Sequence, residues 1–569
     1  MKKRLFIAIL LIFNTFYFFG QIINDSQIIQ NGHWIYDDFD TLALESGKLA
    51  ITNNTPISAG ELKVYFKIFD REKLSDSGKK IYDKVENFLY NDSNILKTKG
   101  AKLDLNILAN PEVYYKANDE VDWTFNYYYK DNFLSLPLNF GISDYFSMGG
   151  DFFFGKNYDS AKDDKNFTNI PLNFDQIEFL WPRFAYGSLG YFGDDWGINL
   201  NIGRQGKTIG KTLTGSIIYN ETFENDCYVE LGIFNQNAKY TMNITQISHN
   251  KFMYWHQLDL ILWNKFRLAG IEGALINNPF EFRFLVPTMV YHSYSFWRQY
   301  YDSDGVEGKY YNEGYCASYL GVTFEYTPVH YLKIYGLYAM NEIQLPNEAH
   351  GKWLSYPDSF GIQLGSELKL PSKYDGFWIA TLEGVYTAPY LYIKQAPGWS
   401  LYRDRLDMIT FNNIQSWLGS PFGPDTFAIS AQFEFMKTDK WNLGLNYLFK
   451  IHGENNFSIF NQYTEVDSDG DGNPDTTISS YYPYTQYVLA EDNDDSAGMD
   501  AAIAKGRNMW MSGTSEFSHK ISLFGSYDFT DHISLESQIS YIFVFNNNNI
   551  SDNFQQGLEF VLAFTYNLF

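Results

Sequence analysis

The stretch from His519 to Phe569 constrains this chain more than any other. Ile521, Leu523, Tyr527 and Phe529 stand at alternate positions. After the turn Thr530-Asp531, the residues Ile533, Leu535, Ile539, Tyr541, Phe543 and Phe545 do the same, with mainly Ser, Glu and Gln between them. A third run, Leu558, Phe560, Leu562, Phe564, Tyr566 and Leu568, alternates with Glu559, Ala563, Thr565 and Asn567. Side chains two apart share one face of a strand, so each run is a strand with one apolar and one polar face. Strands of roughly 9–11 residues with this alternation, joined by tight turns on one side, are what a transmembrane β-barrel needs. In hydrocarbon every backbone polar group must pair internally, and a closed sheet leaves no edge.

A soluble β-sandwich alternates too, and composition separates the two. A soluble chain of 569 residues divides into several domains joined by linkers. Here the strands follow one another without such a break. Aromatic residues make up 19% of the chain, with 45 Tyr and 49 Phe. That exceeds what a soluble core uses, whereas two interfacial girdles absorb it. The mean hydropathy of -0.30 fits strands that turn only alternate side chains outward. The expected fold is therefore an all-β membrane protein, an antiparallel up-and-down transmembrane barrel, whose strands, marked off below, number about 18–20.

Met1-Lys-Lys-Arg4 followed by the apolar Leu5 to Phe19 reads as a signal peptide over 1–20. It falls short of the ~20 residues of a spanning helix. Export plus alternating strands points to the outer membrane of a diderm bacterium. The terminal Phe569 is similar to the C-terminal signal of bacterial outer-membrane barrels, with the apolar set shifted by one. The net charge is -24, and losing Lys2, Lys3 and Arg4 makes it about -27. This excess of acid excludes nucleic acid as a partner, since phosphate contacts need basic patches. Cys227 and Cys316 are the only cysteines, and spacing alone leaves their pairing open.

Residues 21–98 read as a helical periplasmic or plug region. Ser58-Ala-Gly-Glu61 is a capping box, and Leu62, Tyr65, Phe66 and Phe69 follow at helical spacing. Ser75 or Asp76 caps a second helix with Ile81, Val85, Phe88 and Leu89 on one face, and Asp37 to Leu49 is a candidate third. The barrel follows over 99–569. Its clearest strands are 102–115, 132–142, 145–154, 196–203, 226–235, 252–263, 266–276, 281–291, 316–326, 330–340, 360–369, 376–387, 427–437, 441–451 and the last three. Weaker ones lie at 121–129, 185–191 and 213–219. Joints at 263–265, 327–330, 371–375, 438–440 and 530–531 are short and read as periplasmic. Those near 155–175, 292–314, 341–358, 388–425 and 453–516 are long and read as extracellular.

The middle of the chain carries a more particular pattern. Trp196 to Gln205 ends in Gly203-Arg204-Gln205 and is followed by Ile209-Gly210 and Gly215-Ser-Ile-Ile218. Then come His256-Gln-Leu-Asp-Leu260, Phe266 to Ile276 with Glu272, and Phe282 to Pro287 before His292. This order of blocks resembles the Wzi-type capsule assembly family of outer-membrane proteins, over about residues 35 to 293. The resemblance implies an 18-stranded barrel with a periplasmic helical part, acting as a surface lectin that retains capsular polysaccharide. Gly203, Arg204, Gln205, His256, Glu272 and Pro287 are the residues that match. They read as lumen or girdle positions, the lumen ones bracing the barrel by hydrogen bonds and ion pairs.

Two constellations carry chemistry of their own. Asp467, Asp469, Asp471, the carbonyl of Asn473, and Asp475, with Gly472 at the sharp turn, have the spacing of a Ca²⁺ loop. Position 12 is Ile478 and not Glu, so the loop is similar to the shorter calcium loops of thrombospondin type 3 and dockerin repeats. The plain alternative is a solvated acidic loop. In the other long joints, Trp297, Trp353, Trp399 and Trp417 offer faces to sugar rings, and Arg298 and Arg403 offer forks for uronate or phosphate. Girdle and loop packing is the competing use. No nucleophile elbow, P-loop or zinc spacing is present, so no enzymatic role is expected. The reading is a barrel in outer-membrane lipid that binds surface polysaccharide, with a monomer favoured and the oligomeric state left open. The alternative is a porin or saccharide channel for passive diffusion.

Overall fold

The structure, a computed structural model, describes residues 22–50, 53–91, 96–98, 100–121, 132–157, 167–178, 184–221, 225–277, 280, 282–287, 290–291, 316–342, 358–394, 399–406, 413–461, 463–466, 476–479, 510–530 and 532–568. Three α-helices come first: α1 (Trp34–Glu45), α2 (Ala59–Phe66) and α3 (Asp76–Tyr90). Eighteen barrel strands follow. Strand β1 is broken into Ala101–Leu105, Leu108–Ala109 and Glu112–Lys116. Then come β2 (Leu134–Ile142), β3 (Phe146–Lys156), β4 (Ala185–Phe192), β5 (Trp196–Gln205), β6 (Asp226–Asn235), β7 (Ala238–Ser248), β8 (Lys251–Leu262) and β9 (Phe266–Asn277). The second half holds β10 (Cys316–Val329), β11 (Leu332–Glu342), β12 (Ser359–Ser372), β13 (Gly376–Thr387), β14 (Thr426–Lys437), β15 (Trp441–His452), β16 (Glu516–Thr530), β17 (Ile533–Phe545) and β18 (Phe554–Asn567).

Each strand pairs antiparallel with the next. The sheet closes where β18 meets β1, with Leu562 opposite Val113 and Tyr566 opposite Ala109. The closed antiparallel barrel of eighteen strands is the fold that the alternation predicts. Ile521, Leu523, Tyr527 and Phe529 are exposed on the outer wall of β16, whereas Ser518, Lys520 and Ser522 are buried inside. On this strand the inner face is polar and the outer face apolar, the arrangement of a barrel that meets lipid.

Four strand expectations change. Ala238–Ser248 is a full strand not anticipated from the sequence; Tyr240, Met242 and Ile244 do alternate there, but Thr and Asn dilute the signal. The stretch 281–291 is not a barrel strand. Its described part holds a short 3₁₀ turn, Phe282–Leu285, and Phe284 and Tyr291 pack against Tyr254 and Ala274 on the outer wall. Residues 213–219 are not a strand of the sheet, and Ile217, Ile218 and Tyr219 are buried in the barrel's main apolar cluster. The weak strand at 121–129 lies, beyond Val121, outside the described residues. Cys227 is a free, exposed thiol on β6, so it makes no bridge to Cys316.

The helices are docked against the short-turn end of the barrel. Ser58 caps α2 by accepting from the Glu61 backbone N–H at 3.3 Å, and Ser75 caps α3 through Gly78 at 3.1 Å. The second half of the expected capping box is not made. The Glu61 carboxylate is turned to Lys239 of β7, at 2.8 and 3.0 Å, and also accepts from Tyr65 at 3.0 Å. An ammonium buried in the lumen needs a carboxylate more than the first helical turn does. Gly60 packs directly on the Phe192 ring at the end of β4, where a Cβ has no room.

Candidate functional site: the segments inside the barrel and their loop cap

Two groups of side chains hold the helices in place. Asp40 of α1 meets Lys333 of β11 at 2.8 Å, Lys369 of β12 at 3.2 Å and Lys211 of the 206–225 joint at 3.3 Å. Burial by itself pushes the Asp40 carboxyl up, but the three ammonium groups outweigh it and hold it well below the usual carboxylate range. An apolar group lies beside this one. Phe39, Leu42, Leu62, Tyr65, Phe66, Ile81 and Val85 of the helices pack with Phe377 and Ile379 of β13.

The joint 206–225 then reaches down the inside of the barrel. Thr208 and Ile209 pair antiparallel with Thr55 and Asn54 of the helical region, and Gly210 donates to the Asn53 carbonyl at 2.9 Å. Above that contact Ile217, Ile218 and Tyr219 join inward residues of β8 to β14, among them Trp255, Tyr319, Leu337 and Val385. The joint 388–425 adds Tyr390, Leu391, Tyr392, Ile393, Leu401, Tyr402, Trp417 and Leu418. Segments from opposite ends of the barrel therefore meet inside it.

Arg403 is the knot of the cap at the long-loop end. Its Nε donates to Asp226 at 2.9 and 3.1 Å, its Nη1 to the Trp417 carbonyl at 2.7 Å, and its Nη2 to the Asn220 carbonyl at 3.0 Å. Tyr219 donates to the same Asp226 carboxylate. Trp417 stacks on Phe457 with ring centroids 4.2 Å apart, which ties in the 453–516 joint. Asp425 accepts from the backbone N–H groups of Ser512 and Asn455, at 3.0 and 3.1 Å, so the two ends of that long joint are held to the 388–425 joint.

The expected sugar-binding residues fall into two sets. Trp297, Arg298 and Trp353 lie outside the described residues. Arg403 is 1% exposed with its guanidinium bonded on each nitrogen, Trp417 is 8% exposed, and Trp399 is half-buried against the same cluster. In this arrangement Arg403 and Trp417 hold the cap together and offer no free face to a glycan. Trp510 is different: it is 55% exposed and stacks on Tyr386 at 4.9 Å and 4°. Asp226, Tyr219, Asp425 and Ser512 were missed by motif reasoning. The apolar run Ile217-Ile218-Tyr219 inside a long joint is the one signal that marks this region.

The residues that carry the family pattern also separate. Gly203 and Gln205 point inward, and Gln205 accepts from Tyr228 at 2.6 Å. Arg204, His256 and Glu272 do not line the lumen. Trp255, Gln257 and Asp259 hold the inward positions of β8, so His256 takes the outer face. There its Nε2 lies 3.0 Å from Glu272, and Tyr291 stacks on it at 4.8 Å. Tyr240 donates to the Pro287 carbonyl, which places Pro287 on the outer wall as well. Of the girdle and lumen positions open to this polar pair, the outer one is taken, where Tyr291 covers His256.

The five calcium-loop positions, Asp467, Asp469, Asp471, Asn473 and Asp475, lie outside the described residues. The backbone on either side is described. Tyr463–Val466 pairs antiparallel with Thr476–Ser479, so the two ends of that segment are brought side by side.

The closed antiparallel sheet has the fold of outer-membrane β-barrels. Among solved structures the chain is similar to Wzi of Escherichia coli, described as an outer membrane protein involved in group 1 capsule assembly and a carbohydrate-binding β-barrel. The identity is 11%, the TM-score 0.54, and the match covers 95% of this chain and 98% of that one. Pseudomonas aeruginosa OprD (9% identity, TM-score 0.38, covering 82% and 94%) and Vibrio cholerae OmpT (9% identity, TM-score 0.34, covering 84% and 100%) also match. No protein-family model matches the chain, and no curated protein matches it in sequence.

Proposed function

We propose that this protein is an exported, non-enzymatic outer-membrane barrel that binds surface polysaccharide, lectin-like, in capsule or exopolysaccharide assembly and attachment. One observation carries the choice over a diffusion porin. The helical region and the 206–225 joint pair with each other inside the barrel, through Thr55 and Thr208, and Arg403 ties the 206–225 and 388–425 joints to one another. A porin needs an aqueous path, whereas a retention protein needs a stiff outer face. The similarity in fold to a carbohydrate-binding barrel supports the same reading. The candidate glycan contacts are Trp297, Arg298 and Trp353, which the sequence puts in the long joints.

The test pairs a deletion strain with planar-bilayer recordings. The deletion should shed its surface polysaccharide into the medium, and the purified protein should bind that polysaccharide while passing no steady current. Retained polysaccharide, together with free passage of small solutes, would establish the porin reading instead.

A further inference from the structure

The outer wall of the barrel carries a hollow of about 700 Å³ near its short-turn end, across β13 to β16. Trp378, Phe433, Phe435 and Trp441 form its aromatic side, and Leu443 and Leu523 extend it. Trp378 stacks on Phe433 at 5.4 Å and 13°, and sits 4.7 Å from Phe435, which is 5.2 Å from Trp441. Ala380 is the direct partner of Phe433 across the sheet, and Ala431 that of Leu382. No large side chain therefore stands directly opposite the Phe433 ring on β13.

The rim toward the short turns is basic. Lys437 donates to the Tyr374 carbonyl at 3.1 Å and lies 3.8 Å from Asp375. Lys373 stands over the Tyr374 ring and Lys440 over the Tyr527 ring, each at 5.0 Å. Two acids share this rim, and each already has an ammonium from α3. Lys80 holds Asp375 at 2.7 Å, and Lys84 holds Asp439 at 3.0 Å. Five lysines (Lys80, Lys84, Lys373, Lys437 and Lys440) thus face four carboxylates, since Asp38 also takes Lys84 at 3.0 Å and Asp528 lies beside Lys440, and the rim keeps a slight positive surplus beside the apolar hollow.

We propose that this hollow holds one acyl chain of an anionic phospholipid of the periplasmic leaflet, with its phosphodiester against Lys437 and Lys440. Bulk lipid is as apolar as the hollow, so burying the chain selects nothing by itself. Selection comes from shape and from the lysines, as in other basic pockets that take lipid headgroups. Aromatic rings at the headgroup level fix the depth of the chain. The proposal rests on the membrane location given above and is independent of the polysaccharide reading.

Native mass spectrometry of the full-length protein in detergent tests it, with phosphatidylglycerol, phosphatidylethanolamine and phosphatidylcholine added in turn. One phosphatidylglycerol should be retained at a concentration about fivefold below that needed for phosphatidylcholine, the preference expected from one surplus positive charge at a membrane surface. The Lys437→Gln, Lys440→Gln pair should abolish the preference. Leu443→Trp, which fills the hollow, should weaken retention of all three lipids. Heat-modifiable gel migration confirms that each variant is folded. Equal retention of the three lipids by the wild type, or a preference that survives in the double variant, would reduce the hollow to a girdle wetted by ordinary annular lipid.

Discussion

At the scale of single residues the barrel is governed by which way each side chain points. Leu523 sits at the middle of β16 and is 49% exposed on the outer wall, while its neighbour Ser522 is buried inside. A charge placed at the middle of the bilayer costs a barrel about 2–4 kcal/mol. Leu523→Arg should therefore lower the stability of the refolded barrel in lipid vesicles by that amount. Gln432→Lys, on the inner face of β14, should change it little. A cost below about 1 kcal/mol for Leu523→Arg would mean that this wall does not face hydrocarbon. The acidic segment is argued at the same scale. Four carboxylates from Asp467 to Asp475 repel one another, and the pairing of Val466 with Thr476 brings the ends of the segment together. A hard divalent cation relieves that repulsion. We propose that these residues bind one Ca²⁺ with a dissociation constant of ~10⁻⁴–10⁻³ M, since the bidentate Glu of a full loop is lacking. Isothermal titration should give calcium heats that vanish in the Asp469→Ala, Asp471→Ala double variant. Equal heats from both proteins would leave only a solvated acidic loop.

At the scale of elements, the docking of the helices is an electrostatic fit with two separate pH ranges. His33 caps α1 by accepting from the Ile35 N–H, and its ring packs between Trp34 and Phe88. Burial, and then the Lys84 ammonium, push its pKa down to about 4. The unfolded imidazole takes up a proton near 6.5, which the docked one refuses until about 4. Its contribution is complete above 6.5 and is lost as pH falls toward 4. Asp40, held below the usual carboxylate range, keeps its contribution until pH falls lower still. Asp38 of the same helix, raised to about 6 by burial and facing the same Lys84, works in the opposite sense over this range, so the His33 share is read as a difference. Cleavage at Glu72 and Glu86 by a glutamyl endopeptidase active at both values reads release of the helices in urea. His33→Asn keeps a capping oxygen but no titrating group, so between pH 7 and pH 4.5 the urea midpoint of the wild type should fall relative to that of the variant. A constant difference between the two proteins would assign the pH dependence to other groups.

At the scale of the whole molecule, the consequence is a partly filled barrel, its internal segments packed on inward residues of β7 to β15. The helical region enters from one end, the 206–225 joint from the other, and they form a short antiparallel pair within the barrel. Paired residues in such a ladder have Cα atoms ~4.5–5.5 Å apart, within reach of a disulfide. Thr55→Cys with Thr208→Cys, in a background of Cys227→Ser and Cys316→Ser, should close a bond on mild oxidation without disturbing the barrel. Failure to cross-link in folded protein would mean that the two segments do not meet, and the case for a partly filled barrel would go with it.

What the sequence determined by itself was local in origin. The pleat makes side chains alternate every two residues whatever the rest of the chain does, so the runs in 519–568 announced strands, their facing and a closed sheet. Capping by Ser58 and Ser75 was legible for the same reason, because donor and acceptor lie within three residues. The tertiary structure decided what fills the barrel. Lys239 takes Glu61 from its helix, Asp40 gathers Lys211, Lys333 and Lys369, and Arg403 finds Asp226. Each pair joins residues far apart in the chain, and nothing local to a lysine says which carboxylate it will meet. The same holds for 281–291 and for His256 with Glu272, whose aromatic and polar residues suit a strand or a lumen equally well. Only the packing of Phe284 and Tyr291 on the outer wall separates those choices, because burial depends on neighbours that the sequence does not place side by side.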